Sequence, residues 1–225
     1  MMRRNIALIP AAGVGARFGA GKPKQYVEIN GKTVLQHTIE IFEQHPRIDL
    51  IAVILSPEDS VFQTALSEKV RVFRVGGASR AETVRNGVST LLEQGLAEAQ
   101  DNILVHDAAR CCLPVEALTR LLDEAGENDE GGILAIPVAD TLKRADGSHH
   151  IDETVARAGL WQAQTPQLFQ TALLNRALSV DDLSEITDEA SAVEKLGIRP
   201  RLVQGDTRNL KLTLPQDEYI VRLLL

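Results

Sequence analysis

"LIPAAGVGARFGAGKPKQY", Leu8 to Tyr26, runs from an apolar stretch into a glycine- and alanine-rich segment that carries Arg17, Lys22 and Lys24. The apolar start reads as the end of a buried strand, and the glycines after it as a turn where bare backbone can approach a ligand. Working outward, "NIALIP" completes that strand, and Val34, Leu35, Thr38, Ile39 and Phe42 fall at helical spacing. "LIAVIL" (Leu50–Leu55) and "VRVFRV" (Val70–Val75) read as strands, and the loop "GGAS" opens a helix marked by Ala81, Val84, Val88 and Leu91. "NILVHDAAR" reads as a strand ending in charged residues, Val115 to Ala125 as a helix, and "GGILAIPV" as a fifth strand. Helices are expected near Leu168–Leu178 and Thr187–Leu196, then a strand at "RPRLVQ". A last helix is expected from about Pro215, with "TLPQ" as its capping box. Apolar strands alternating with amphipathic helices predict an α/β, Rossmann-like fold: a mostly parallel sheet with helices on both faces.

One stretch breaks this rhythm. Ala139 to Trp161 has no helical period and is expected to turn in two residues, Asp146-Gly147, between polar, strand-compatible residues. It is too polar for the core and reads as a projecting β-hairpin arm, ordered because Leu160 and Trp161 need something to pack on. The chain reads as one domain, 1–225, with this arm at about 139–161.

Composition narrows the function classes. Aromatics are only 4%, so the core is expected to be aliphatic. A net charge of −7 argues against nucleic acid as a partner, since a phosphate backbone is bound by excess cation, but it permits a local cationic pocket. The two cysteines, Cys111 and Cys112, are adjacent, without zinc-type or redox-type spacing, which suits a cytoplasmic protein. Arg3 and Arg4 before an uncharged run imitate a signal peptide, but Pro10, Gly13 and Gly15 interrupt it. No apolar stretch approaches the roughly 20 residues of a membrane span.

In parallel sheets ligands sit beyond the carboxyl ends of the strands. Three loop chemistries compete for the opening stretch. A P-loop fails because Pro23 follows Gly21-Lys22 and Ala16 stands where its first glycine belongs. A dinucleotide fingerprint fails because the third glycine, Gly19, comes one place late and no acidic residue ends the second strand. A nucleotidyltransferase loop alone uses Arg17, Lys22 and Lys24 as charge for phosphates.

At this point the chain resembles a known family. The opening loop, with "GGASRAETVRNG", "VHDAAR", "DTLKR", "QTPQ", "ITDEAS" and "NLKLT" in this order, is similar to the 2-C-methyl-D-erythritol 4-phosphate cytidylyltransferases of the non-mevalonate isoprenoid pathway. The resemblance implies transfer of a cytidylyl group from CTP to methylerythritol phosphate, with Mg²⁺ held mainly by the CTP phosphates. It assigns Arg17 and Lys24 to charge stabilisation and Pro10, Ala11, Ala12, Gly13 and Gly15 to the nucleotide, the last four through close backbone contact. Gly77, Ala78 and Thr83 would frame the cytosine, beside Asp107 and Ala108. Asp107, Arg110, Thr141, Thr165 and Thr187 would contact the alditol phosphate, and Arg157 and Lys211 would steer its attack. Thr141 and Arg157 lie in the arm, which the family extends to a partner subunit, implying a homodimer with composite sites. Where the family usually has proline, this chain has Cys111, whose place beside Arg110 suggests a reactive thiol. His106, His149 and His150 read as structural or surface residues, and Arg80 and Lys143 as ion-paired or solvated. Two alternatives stay open: another alditol phosphate, such as ribitol 5-phosphate, as acceptor, or a nucleotide-binding regulator without catalysis.

Overall fold

The structure is a computed structural model that describes residues 3–13, 23–63 and 67–225. The opening strand, β1 (Asn5–Pro10), is buried on both faces, and a 3₁₀ turn (Lys24–Tyr26) follows it. A small hairpin, β2 (Glu28–Ile29) with β3 (Lys32–Thr33), leads into helix α1 (Val34–Gln44). Thr33 starts α1 with a capping box, accepting from the Gln36 amide while the Gln36 side chain takes the Thr33 N–H. Next come β4 (Leu50–Ile54), β5 (Val70–Phe73), α2 (Arg80–Glu93), β6 (Asn102–Val105), α3 (Val115–Ala125) and β7 (Gly132–Pro137). The arm is β8 (Leu142–Ala145) with β9 (Ile151–Val155), which form a separate two-stranded antiparallel sheet among the described residues. The chain then enters β10 (Trp161–Gln170), α4 (Thr171–Leu178), α5 (Glu189–Glu194), β11 (Arg201–Gln204) and α6 (Asp217–Leu224).

Seven strands form the main sheet in the order β11-β7-β10-β6-β1-β4-β5. All are parallel except β10, which runs antiparallel to both β6 and β7. Successive β1 residues face opposite layers. Ala7 and Ile9 pack with Leu35, Phe42 and Leu118 under α1 and α3. Ile6 and Leu8 pack with Val84, Val88, Leu174 and Val193 under α2, α4 and α5. From β1 the chain crosses to β4 and β5 on one side, then returns by α2 to β6 on the other. The carboxyl ends of β1 and β6 are therefore the switch point, where an open α/β sheet leaves a crevice.

Three local expectations need correction. Leu168, Phe169 and Gln170 belong to β10, not to a helix, which starts at Thr171. The arm does not turn in two residues. Residues 146–150 form its loop, and Asp146 Oδ1 accepts from the amides of Ser148 and His150 and from the Ser148 hydroxyl. Thr213 does not cap α6; the Asp217 carboxylate instead accepts from the amides of Thr213 and Leu214. Leu160 and Trp161 stay exposed in the isolated chain, at 40% and 38%. Among the described residues no helix is long and apolar enough to cross a membrane.

Gly131 enters β7 at φ +71°, and an added Cβ would stand 2.3 Å from Phe169 and 2.4 Å from the Leu168 carbonyl. Gly131→Ala is expected to cost about 2 kcal/mol or more, from left-handed strain together with the clash. Gly147→Ala on the arm loop, where a Cβ meets nothing within 4 Å, is the control. Urea midpoints of the two variants check this, and equal midpoints would refute it.

Candidate active site

A cavity of about 490 Å³ opens at the switch point. The chain leaving β1, Pro10 to Gly13, forms one wall, and Lys24 and Gln25 of the 3₁₀ turn stand beside it. Gln25 holds that wall: its Nε2 donates to the carbonyls of Ala11 and Gly13, both at 2.9 Å. Opposite lie Gly77 to Arg80 and Thr83, at the entry to α2. Ser79 caps that helix by accepting from the Glu82 amide, the Thr83 hydroxyl donates to the Ser79 carbonyl at 2.9 Å, and Glu82 caps the Ala78 N–H at 2.8 Å. These two walls meet at Gly76, where a Cβ would lie 2.3 Å from that of Ala12. The floor is Asp107 to Ala109 after β6, with Lys211 reaching in from the chain following β11.

Asp107 organises the floor. Its Oδ1 accepts from Arg80 Nε at 2.8 Å, while Oδ2 faces Lys211 Nζ at 2.8 Å and Arg110 Nε at 3.7 Å. Burial alone would raise this carboxyl, but Arg80, Lys211 and Arg110 overcome it and hold Asp107 well below the usual carboxylate range. Arg80 also forks onto Glu189, with Nη1 at 2.6 Å and Nη2 at 3.1 Å. Burial opposes the charge on Arg80, but the two carboxylates raise its pKa above the ordinary guanidinium value. Glu189, 1% exposed, is pushed up by burial against the pull of Arg80.

The cavity thus gathers Pro10, Ala11, Ala12, Gly13, Lys24, Gly77, Ala78, Thr83, Asp107, Ala108 and Lys211 from the sequence reading. Other expected residues do not line it. Thr165 is buried behind Asp107, its hydroxyl accepting from the Asp107 amide at 3.1 Å. Arg110 turns away and donates from Nη1 to the Asn209 carbonyl at 2.5 Å, leaving its Nε buried without a hydrogen bond. Thr187 is exposed and donates to the Ser191 hydroxyl, while Thr141 and Arg157 are exposed on the arm. Gly15 and Arg17 fall outside the described residues.

Gln25 and Ser79 were not singled out in the sequence, and Arg80, expected to be ion-paired or solvated, is ion-paired, with Asp107 and Glu189. Also passed over were Glu189 and Asn209, whose Nδ2 donates to the Thr165 carbonyl at 2.7 Å. Gln25, adjacent to Lys24 in "KPKQY", and Ser79, three residues before Glu82 at the start of a helix, had local signals. The expectation for Cys111 is overturned. It is 2% exposed, packed with Ile29, Val34 and Val221, and a hydrogen bond with Cys112 together with burial pushes its thiol up. Arg110 does not activate it; that same hydrogen bond lowers Cys112 instead.

His106 is fully buried. Nε2 lies 3.0 Å from the Arg110 carbonyl, so it carries the proton and donates, leaving Nδ1 to accept from the Thr165 hydroxyl at 3.0 Å. Burial, against those bonds, lowers its pKa to about 4. Among the described residues no group of three or more His, Cys, Asp or Glu could hold a metal ion. The cavity's carboxylate, Asp107, is already engaged by cations, so the described residues present no ready metal cage.

A cavity of this kind, in this fold, defines a nucleotide-using α/β transferase. Comparison with known proteins agrees: the model of the IspD family, 2-C-methyl-D-erythritol 4-phosphate cytidylyltransferase, matches residues 5–225. The chain belongs to that family. A relative from Neisseria meningitidis serogroup A, named 2-C-methyl-D-erythritol 4-phosphate cytidylyltransferase, is 71% identical over 100% of this chain and 99% of its own. One of the same name from Chromobacterium violaceum is 51% identical over 98% and 97%. A crystal structure of a 4-diphosphocytidyl-2C-methyl-D-erythritol synthase superposes with a TM-score of 0.89 at 64% identity, covering 100% of this chain and 99% of that one. The Francisella tularensis cytidylyltransferase does so with a TM-score of 0.83 at 32% identity, covering 99% and 100%.

The His106 pKa sets a pH dependence. Above about pH 6.5 the imidazole is neutral folded and unfolded, and it costs nothing. As pH falls from 6.5 toward 4 only the unfolded chain takes the proton, so stability drops by about 3 kcal/mol through this window. His106→Gln should lose less stability than wild type between pH 7 and 4.5 in urea titrations. Parallel losses would mean that the imidazole protonates in the folded state.

Proposed function

We propose that this chain catalyses the reaction for which its family is named: CTP and 2-C-methyl-D-erythritol 4-phosphate give 4-diphosphocytidyl-2-C-methyl-D-erythritol and pyrophosphate. The observation that carries this reading is the cation-lined cavity at the switch point of a chain matched to that family over residues 5–225. An oxygen of the acceptor phosphate forms the new bond to the α-phosphorus of CTP as the bond to pyrophosphate breaks. That phosphate is largely dianionic at pH 7, with a second pKa of about 6, so no general base is required. A neutral, buried His106 is consistent with this. The work left to the protein is positioning two anions and stabilising charge on the leaving group.

In this reading the amides around Ala12 and Gly13, with Arg17 and Lys24, take the triphosphate, and Gly77, Ala78 and Thr83 frame the base. Lys211 is tied to Asp107, and its side chain is 40% exposed. It would swing onto the acceptor phosphate while Arg80 and Arg110 continue to neutralise Asp107. The Nε of Arg110, 3.7 Å from Asp107 Oδ2, makes no hydrogen bond and is a buried donor that a closer acceptor oxygen would satisfy. A divalent cation suits this class of transferase. It would enter with the nucleotide, since magnesium takes phosphate oxygens and waters readily and needs few protein ligands. The test is pyrophosphate release with CTP and a panel of alditol phosphates. Methylerythritol phosphate should be turned over fastest, and no release with any acceptor would leave a nucleotide-binding regulator. In the same assay Lys24→Ala should lower kcat by about 10²-fold with a smaller effect on CTP affinity. An intact kcat with a raised KM for CTP would make Lys24 a binding residue only.

The exposed arm supports a homodimer in which Thr141 and Arg157 serve the partner's cavity. Ile151, Leu160 and Trp161 offer apolar surface for such a contact. Lys24→Ala and Arg157→Ala subunits should each be nearly inactive as homodimers. Purified through two tags, the mixed dimer has one site with both defects and one with neither, so it should recover about half of wild-type activity. A mixed dimer as inactive as its parents would place Arg157 at its own subunit's site.

A further inference from the structure

Arg80 joins three segments that are remote in sequence. It is the first residue of α2, directly after the cap Ser79, in the loop that walls the cavity. Its Nε holds Asp107 at the end of β6, and its two terminal nitrogens grip Glu189 at the start of α5, two residues beyond Thr187. A planar guanidinium fork fixes both distance and orientation, which a lysine cannot do. Because Arg80 occupies Oδ1 of Asp107, the other oxygen points to Lys211 and Arg110.

We propose that Arg80, braced by Glu189, is a positioning residue for the acceptor half of the site: it fixes the Asp107 carboxylate so that Lys211 is presented to the incoming phosphate while Arg110 stays with the carboxylate. This rests on the reaction assigned above and adds the residues that orient its acceptor. Without the brace, Asp107 could draw Lys211 and Arg110 onto both of its oxygens. Glu189, buried and stripped of its partner, would compete for the same cations. The nucleotide side has its own supports, which do not pass through the Arg80 side chain: Thr83 with Gly77, Glu82 with Ala78, and Gln25 with Ala11 and Gly13. Loss of Arg80 should therefore separate the two substrates.

The experiment compares wild type, Arg80→Lys, Glu189→Gln and the charge-neutral double variant Arg80→Met/Glu189→Leu. The double variant removes both partners of the buried pair, a change folds commonly tolerate, whereas removing one partner leaves a buried charge. CTP affinity is read by calorimetry, and acceptor KM and kcat by pyrophosphate release. The acceptor KM should rise about 10-fold or more in Arg80→Lys and in the double variant, with CTP affinity within about 2-fold of wild type. Glu189→Gln, which keeps a hydrogen-bond acceptor for the fork, should fall between. An acceptor KM unchanged in the double variant would reduce the pair to structural support, as would failure of that variant to fold. CTP affinity falling as far as acceptor affinity would make Arg80 a nucleotide ligand. A wild-type protein that releases no pyrophosphate would overturn the assigned reaction and this role with it, whereas an active wild type beside an unaffected double variant removes only the role of Arg80.

Discussion

The ion cluster around Asp107 is the interaction on which the candidate site depends. Its carboxylate is buried at the end of β6, where desolvation alone would neutralise it, and Arg80, Lys211 and Arg110 keep it charged. Each cation belongs to a different stretch of chain: the start of α2, the segment after β11, and the turn after Asp107 itself. With Glu189 included, three cations face two carboxylates, so the cluster carries one positive charge in excess. Lys24 adds to that field from the adjacent wall. A chain of net charge −7 thus keeps a cationic cavity, and the low-dielectric walls make those few charges count for more than their number.

Strands such as β1, β4 and β6 were legible because a parallel strand buried on both faces must be apolar at every position. β10 was not, although it lies between β6 and β7. Its middle is Gln164, Thr165, Pro166 and Gln167, a polar run broken by proline that argues against a central strand. The register shifts between Ala163 and Gln167, and the polar side chains there bond to loops. Gln164 reaches the Asp206 carbonyl, Gln167 the Asp188 carboxylate, and the Thr165 hydroxyl the Asp107 amide. Leu168 and Phe169 then run into Leu173, Leu174 and Ala177, and together they imitate one helical face. Only Phe169 shares an apolar layer with Leu173, Leu174 and Ala177; Leu168 faces the opposite layer with Leu104 and Leu134, so burial runs on from strand to helix although the backbones and faces differ.

The candidate site was legible in the same uneven way. Loops whose backbone must come close to a ligand or to one another are marked by glycine and small residues, and the Ala11–Gly13 and Gly76–Ala78 stretches could be picked out on that ground. The Arg80–Glu189 pair spans 109 positions, and no local pattern reports it. Cys111 misled for a related reason. Adjacency to Arg110 in sequence suggested an activated thiol, but Arg110 turns toward Asn209 while Cys111 packs with Ile29 and Val221. Thr141 and Arg157 could be located in sequence, yet they lie exposed on the arm, outside the cavity.

These observations bear on how transfer would proceed without a protein base. His106, the imidazole nearest Asp107 in sequence, is committed through both nitrogens and too weakly basic to take a proton near neutrality. Its hydrogen bonds run to the Arg110 carbonyl and through Thr165 to the Asp107 amide, so it braces the floor of the cavity from below. Arg80 and Glu189 brace the same floor from the side. The rigid parts of this cavity are therefore the ones that hold charge in place, and Lys211, half-exposed and bonded to one carboxylate oxygen, is the cation best able to exchange partners. An acceptor phosphate that replaces Asp107 as its partner exchanges one anion for another, at little electrostatic cost, because Arg80 and Arg110 remain to neutralise the carboxylate left behind.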